Sequence, residues 1–110
     1  MSYYFVANIR IHDPDEYKKY IQGSDSVFRK YNGKYLAVDS RPELLEGQWN
    51  YSRSVIIEFH SKKEFNRWYR SSEYQVLLKH RLAGAECDTI LVKGENTFAR
   101  TTLDKGGSGQ

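Results

Sequence analysis

Residues 3–12, YYFVANIRIH, alternate side by side in a way that only a β-strand can use. Successive side chains of an extended strand point to opposite faces of its sheet. Tyr3, Phe5, Ala7, Ile9 and Ile11 therefore share one face, which is wholly apolar. Tyr4, Val6, Asn8, Arg10 and His12 share the other, which is mixed. Such a strand needs complete cover on one side and a more selective neighbour on the other. Its aromatic and β-branched content agrees with that reading.

Two helical patterns supply the cover. Asp13 can cap a helix, Pro14 suits its first position, and Glu16 completes a capping-box spacing. Tyr17, Tyr20, Ile21, Ser24, Val27, Phe28 and Tyr31 then recur at helical intervals, and Asn32-Gly33 ends the pattern. Residues 34–39, KYLAVD, read as a second strand that Arg41-Pro42 breaks. A hairpin excursion runs through 44–49, and 53–59, RSVIIEF, reads as a third strand. There Val55, Ile57 and Phe59 point one way, and Ile56, Glu58 and His60 the other. Ser61 and Glu64 open a helix carrying Phe65, Trp68 and Tyr69. Ser71-Ser72 interrupts it, a further helical segment runs from Glu73 to about Ala83, and 87–93, CDTILVK, forms the last strand.

The order β-α-β-β-α-β with short, right-handed connections predicts an α+β fold. It is a ferredoxin-like, four-stranded antiparallel sheet with its helices on one face. Residues 1–94 form the domain, and 95–110, ending in GGSGQ, are expected to be a flexible tail. A chain of 110 residues holds one such domain. No apolar run approaches the roughly 18 residues a membrane span needs, and the first residues lack the basic and apolar blocks of a secretory signal. The single Cys87 excludes an internal disulfide and a multi-cysteine zinc site, so a reducing cytoplasm is expected, with no membrane partner. The 17 basic and 14 acidic residues interleave, and the net charge of +3 suits an anionic ligand without requiring one.

Helices on one face leave the other bare. Val6, Ile56 and either Val38 or Val92 lie there among polar groups, a patch that small monomers avoid exposing. A homodimer packing two such faces together is the simplest remedy. Asn8, Arg10, His12, Glu58 and His60 share that face. Arg10 and Glu58, on neighbouring strands, could form an interface ion pair. Alternatively, Glu58 or His60 could serve as a general base in a polar pocket.

The stretch Leu45-Glu46-Gly47-x-Trp49, then Arg53, then Val55-Ile56-Ile57-Glu58-Phe59-x-Ser61, then Trp68-Tyr69-x-Ser71-x-Glu73-Tyr74-Gln75 resembles the DUF1330 family. So do Asp13-Pro14-x-x-Tyr17 after the first strand and Arg81 before the last. The resemblance covers about residues 3–94, with His60 standing where the family usually has proline. It implies membership of the dimeric α+β barrel superfamily, with a two-sheet barrel between protomers. That superfamily hosts cofactor-free monooxygenases, haem-degrading enzymes, muconolactone isomerases and small lyases. The resemblance therefore implies a small-ligand pocket without fixing a reaction.

Several residues can furnish that pocket. Trp68, Tyr69 and Tyr74 either pack the core or wall a flat ligand, the phenols acting as donors. Arg53 and Arg81 either hold a ligand carboxylate or enolate bidentately or are neutralised by Glu46 or Glu73. With Asn8 and Arg10 as further binding groups, and Glu58, His60 and Tyr74 as candidate proton-transfer groups, the expectation is cofactor-independent chemistry. Its substrate is a small anionic or enolisable organic molecule, and isomerase, lyase and monooxygenase types stay open. A non-catalytic binding or dimerisation protein is the alternative.

Two rivals fare poorly. Haem-degrading relatives resemble this chain in Asn8 and Trp68, but Leu78 falls where their axial histidine belongs, and His80 lies two residues on, on another side of the helix. RNA-recognition domains share the element order. Their third strand carries glycine and alternating aromatics, which Arg53–Phe59 lacks, so no nucleic-acid partner is expected. No phosphate loop, nucleophile elbow or metal-spaced cluster is present, and no cofactor or metal is expected. His12 with Asp13 and Asp15 reads as a strand end and helix cap. His80 reads as a surface residue and Cys87 as a small buried hydrophobe.

Overall fold

The computed structural model describes residues 1–95, and the expected tail lies, from residue 96 on, outside the described residues. Strands β1 (Tyr3–Ile11), β2 (Lys34–Asp39), β3 (Arg53–Phe59) and β4 (Ala85–Lys93) join helices α1 (Pro14–Lys30), α2 (Lys62–Tyr69) and α3 (Ser72–Gly84). The sheet runs β2-β3-β1-β4, and every pairing is antiparallel. The chain has the expected ferredoxin-like βαββαβ order, with the second helical segment divided. The strand with the sharpest alternation is central. Phe5 lies between Ile57 and Leu91, and Val6 between Ile56 and Ile90, so the parity of β1 is passed to both neighbours.

Local chemistry sets the boundaries. The Asp13 carboxylate accepts from the Glu16 backbone N–H at 3.2 Å, and Pro14 occupies the first turn of α1. Asn32 rather than Gly33 takes the left-handed conformation after α1, at φ 62°. Gly33 serves packing instead, since a Cβ there would stand 3.0 Å from the Phe59 ring. Ser61 caps α2 by accepting from Glu64 N–H at 3.1 Å, and Ser71 caps α3 by accepting from Tyr74 N–H at 3.0 Å. Ser71 Oγ also donates to the Trp68 carbonyl at 2.8 Å, so one residue closes α2 and opens α3.

The covered face of the sheet is aromatic. Trp68, with no exposed surface, has the rings of Phe5, Phe28, Phe59, Phe65, Tyr69 and Tyr74 around it at centroid distances of 4.0–5.8 Å. The other face has no helix over it. Tyr4, Val6 and Ile56 are half-buried there, while Ile90 and Val92 are 61% and 41% exposed.

Three details depart from the sequence reading. Arg10 and Glu58 do not meet: Glu58 is paired with Tyr4, six positions from Arg10, a separation of roughly 20 Å along the strand. Arg10 instead bridges Glu86 at 3.0 Å and donates to the Asn50 carbonyl at 2.5 Å, while Glu58 accepts from Ser2 Oγ at 2.7 Å. A bulge between Tyr35 and Ala37 changes parity within β2, so Val38 pairs with Val55 on the helix-covered side. The excursion between β2 and β3 contains no strand, and Leu44 and Leu45 are exposed on it.

The start of α1 is locked to the end of α3. The Gly84 carbonyl accepts from both His12 N–H and Asp13 N–H at 3.0 Å, and a Cβ on Gly84 would lie 2.6 Å from the Tyr17 backbone nitrogen. Gly84→Ala is expected to lower the urea unfolding free energy by about 2–3 kcal/mol, because only backbone can yield. Gly23→Ala is the control. Its Cβ meets only the Leu77 side chain, at 2.5 Å, and alanine regains up to about 1 kcal/mol of helix propensity. Equal losses in the two variants would contradict the backbone lock.

Candidate functional site: a crevice beneath the first helix

The aromatic packing fills the space under α2 and stops short under α1. Phe5 and Phe28 form the boundary, and beyond them a crevice opens between α1 and the sheet. Ala7, Ile9, Val55 and Ile57 form its floor; Tyr17, Tyr20, Ile21 and Ser24 of α1 form its roof. Tyr35 of β2, Arg53 of β3 and Arg81 of α3 complete the walls. Its empty space is about 390 Å³ including the mouth open to solvent.

Strand and helix periodicity explain how cations arrive in so apolar a place. Arg53 has the parity of Val55, Ile57 and Phe59, so it points to the helix side. Arg81 follows Tyr74 and Leu77/Leu78 along the inward stripe of α3 and is 3% exposed. No acidic residue lines the crevice, and neither arginine forms a salt bridge among the described residues. The neutralising partners considered from sequence are elsewhere. Glu73 is bound by Lys30 at 2.9 Å and by the Tyr31 hydroxyl at 3.0 Å, and Glu46 lies exposed on the β2–β3 connection. Nε of Arg53 and Nε of Arg81 are both buried without a hydrogen-bond partner. Arg53 Nη1 has a long bond to Ser40 Oγ at 3.3 Å, and the Arg81 guanidinium stands 5.9 Å from the centroid of the Tyr20 ring.

Phenols make up the remaining polarity. The Tyr20 and Tyr74 hydroxyls share a hydrogen bond of 3.0 Å, joining α1 to α3 behind the crevice, and Ser24 Oγ lies 3.3 Å from the Tyr35 hydroxyl. Burial pushes the Tyr17, Tyr35 and Tyr74 phenols up, and pushes Tyr20 well up, with the Tyr74 hydroxyl adding to the effect. The arginines beside Tyr17 and Tyr74 only partly oppose this. At Arg81 burial works against the charge, but Tyr74, Tyr20 and Cys87 outweigh it, so the group is held firmly protonated. At neutral pH the crevice thus presents two guanidiniums and several protonated phenols. It has donors in surplus and apolar walls, which is the chemistry of an anion or oxyanion site.

The residues singled out from sequence divide between three places. Arg53 and Arg81 line the crevice, and Tyr74 reaches it through Tyr20. Trp68 and Tyr69 lie in the aromatic core and are not among its walls. Asn8, Arg10 and Glu58 are on the open face, where Asn8 Oδ1 accepts from Ser54 Oγ at 2.9 Å. His60 is exposed just past β3. Glu58 and His60 are therefore not brought together with the arginines, because single-residue alternation puts Glu58 on the opposite face from Arg53. His80 is not free on the surface but lies 2.7 Å from Glu16, whose carboxyl it helps hold below its usual range, with Lys19 assisting. Tyr17, Tyr20, Ser24 and Tyr35, which the sequence presents only as helix or strand pattern, also line the crevice. On α1, Tyr17, Tyr20 and Ser24 share the buried stripe with Phe28, and a recurring polar atom is the one mark they carry in sequence, which core tyrosines carry too. Among the described residues no group of three or more His, Cys, Asp or Glu is placed to hold a metal ion, and no helix is long and apolar enough to cross a membrane.

The phenols make stability pH-dependent at the alkaline end. Their folded values are raised, so above the unfolded value near 10 the native state holds protons that the unfolded chain releases. Stability from this source is complete below about pH 10 and is lost as the pH rises through the raised values. Thermal melts should give a level Tm from about pH 7 to 9 and a fall beginning near pH 10. A Tm that stays level well above that would contradict the burial of these hydroxyls.

Several solved structures share the fold. The RPA0582 protein of unknown function from Rhodopseudomonas palustris is 20% identical with a TM-score of 0.75, covering 86% of this chain and 83% of that one. SnoaB, a cofactor-independent oxygenase from Streptomyces nogalater, is 16% identical with a TM-score of 0.63, covering 87% and 95%. A dimeric ferredoxin-like protein of unknown function from Jannaschia sp. CCS1 is 10% identical with a TM-score of 0.68, covering 86% and 100%. At these identities the likeness is one of fold. No curated protein matches the chain in sequence. The family model for DUF1330, a domain of unknown function, matches residues 2–95, and the chain belongs to that family.

Proposed function

We propose that the protein is a homodimer whose crevice binds a small organic anion and stabilises its enolate, in cofactor-independent chemistry of the isomerase, lyase or monooxygenase kind. The observation that carries this reading is Arg81, a buried guanidinium in a wall with no carboxylate to neutralise it. A buried charge without a partner is costly, and a bound anion supplies the partner. Arg81 would hold the oxyanion, and Tyr20, its oxygen accepting from the Tyr74 hydroxyl, would donate one hydrogen bond toward it. The proton leaving the adjacent carbon would pass to solvent at the crevice mouth. SnoaB, described as a cofactor-independent oxygenase, uses the same fold. A second reading, binding without turnover, is favoured by one observation: the crevice walls contain no carboxylate or imidazole to act as a base.

The dimer is supported by the open face, where Val6, Ile56, Ile90 and Val92 form an apolar band, and by the dimeric description of fold neighbours. Native mass spectrometry is expected to give a dimer that Ile56→Glu converts to monomer with its circular dichroism intact. A wild-type monomer would contradict the two-sheet assembly.

Proton NMR of 2-oxobutyrate in D₂O tests the chemistry. Saturable exchange of its C3 protons above the buffer rate is expected, reduced at least about tenfold in Arg81→Gln, which corresponds to about 1.4 kcal/mol of barrier. Binding of the acid without exchange would select the non-catalytic reading.

A further inference from the structure

We propose that the ligand of this crevice is a short-chain dicarboxylate, one carboxylate held by Arg81 at the inner end and the other by Arg53 nearer the mouth. This rests on the anion-binding reading above and goes beyond it in fixing the number of charges. The two guanidiniums come from different elements, β3 and α3, and Tyr17 of α1 lies close enough to both for each to act on its phenol. They therefore flank one space. The wall residues contain no aspartate or glutamate, and burial keeps the surrounding phenols protonated, so no negative charge in the crevice balances either guanidinium. A monocarboxylate would leave one guanidinium unbalanced in a low-dielectric interior. Two carboxylates close the balance and give each orphaned Nε a partner.

The space between the two ends fits a carbon chain. Its floor is Ala7, Ile9 and Val55, apolar along its length. Arg81 is 3% exposed and Arg53 half-buried, which sets the inner and outer ends. Carboxylates fit better than phosphates. The walls of the crevice include the flat rings of Tyr17, Tyr20 and Tyr35. The helix segment over it is the middle of α1, so no helix N-terminus points into it to receive a tetrahedral anion.

Calorimetric titration of the full-length protein with malonate, succinate and glutarate tests this against propionate, butyrate and valerate. Methyl phosphate is the phosphate probe and butyramide the uncharged control. At least one dicarboxylate is expected to bind about tenfold or more tightly than the monocarboxylate of matching length. Arg53→Gln should erase that margin, lowering dicarboxylate affinity more than monocarboxylate affinity, since Arg81 still holds one carboxylate. Arg53→Lys should restore part of the margin. Circular dichroism and Tm of both variants confirm folding, and wild-type selectivity decides the matter should either fail to fold. Equal affinity for mono- and dicarboxylates would overturn the dicarboxylate assignment while sparing the anion site. Methyl phosphate binding more tightly than every dicarboxylate would also overturn it. No binding by any anion would overturn the anion site itself.

Discussion

Trp68 is the contact on which the rest of the architecture depends. Its ring touches residues from β1, α1, β3, α2 and α3, so one side chain fixes the distance between the helical layer and the sheet. Its Nε1–H is buried without an acceptor, a cost of about 1–3 kcal/mol. Full burial of so large a ring offsets it. The cluster is also lopsided. It is centred under α2, and the sheet extends beyond it beneath α1. The crevice is the part of the covered face that the rings packed on Trp68 do not fill, and Phe5 and Phe28 form its border.

The same geometry explains why the polar atoms gather on the crevice side. α1 is tied to α3 at two depths: at Gly84, where backbone meets backbone, and at the buried Tyr20–Tyr74 hydrogen bond. Close approach at the first point leaves no room for a side chain on residue 84. The second point lies deeper, where hydroxyls can bond to each other only by facing the gap that the two helices and the sheet enclose. Arg81 emerges from α3 beside that pair, and Arg53 enters from the sheet.

The fold was legible in the sequence because its signals are local and agree with one another. β1 declares two unlike faces, Asp13 and Ser61 declare two helix starts, Ser71-Ser72 declares a break, and the spacing between them leaves little freedom of connection. The faces of β2 were not legible, because a bulge at one exposed edge residue changes parity without any glycine or proline to mark it. The Arg10 to Glu58 pairing failed for a related reason. Which strands are neighbours follows from topology, but opposition along them is set by register, and register depends on where the strands start. Arg53 could be placed by parity alone. Tyr17, Tyr20 and Ser24 could not be told from core, since a buried tyrosine looks alike in sequence whether its hydroxyl faces a helix or a crevice.

Both faces of the sheet carry polar clusters, and their degree of satisfaction separates them. On the open face the named groups pair with one another: Asn8 with Ser54, Arg10 with Glu86, Glu58 with Ser2, and Tyr51 with Asp88. There Arg10 has Glu86 as its counter-charge and each named acceptor has a donor, as a surface suited to packing against another surface requires. In the crevice the balance is broken in one direction only. Two cations and several donors face apolar walls with no anion, and both arginine Nε atoms lack partners. A buried guanidinium with no counter-charge carries a desolvation cost that an apolar side chain at position 81 would not. Retaining it at the end of a helix otherwise packed for stability makes sense when the missing counter-charge arrives from solution. The satisfied open face thus fits the proposed dimer contact, and the donor-rich crevice fits the proposed anion site.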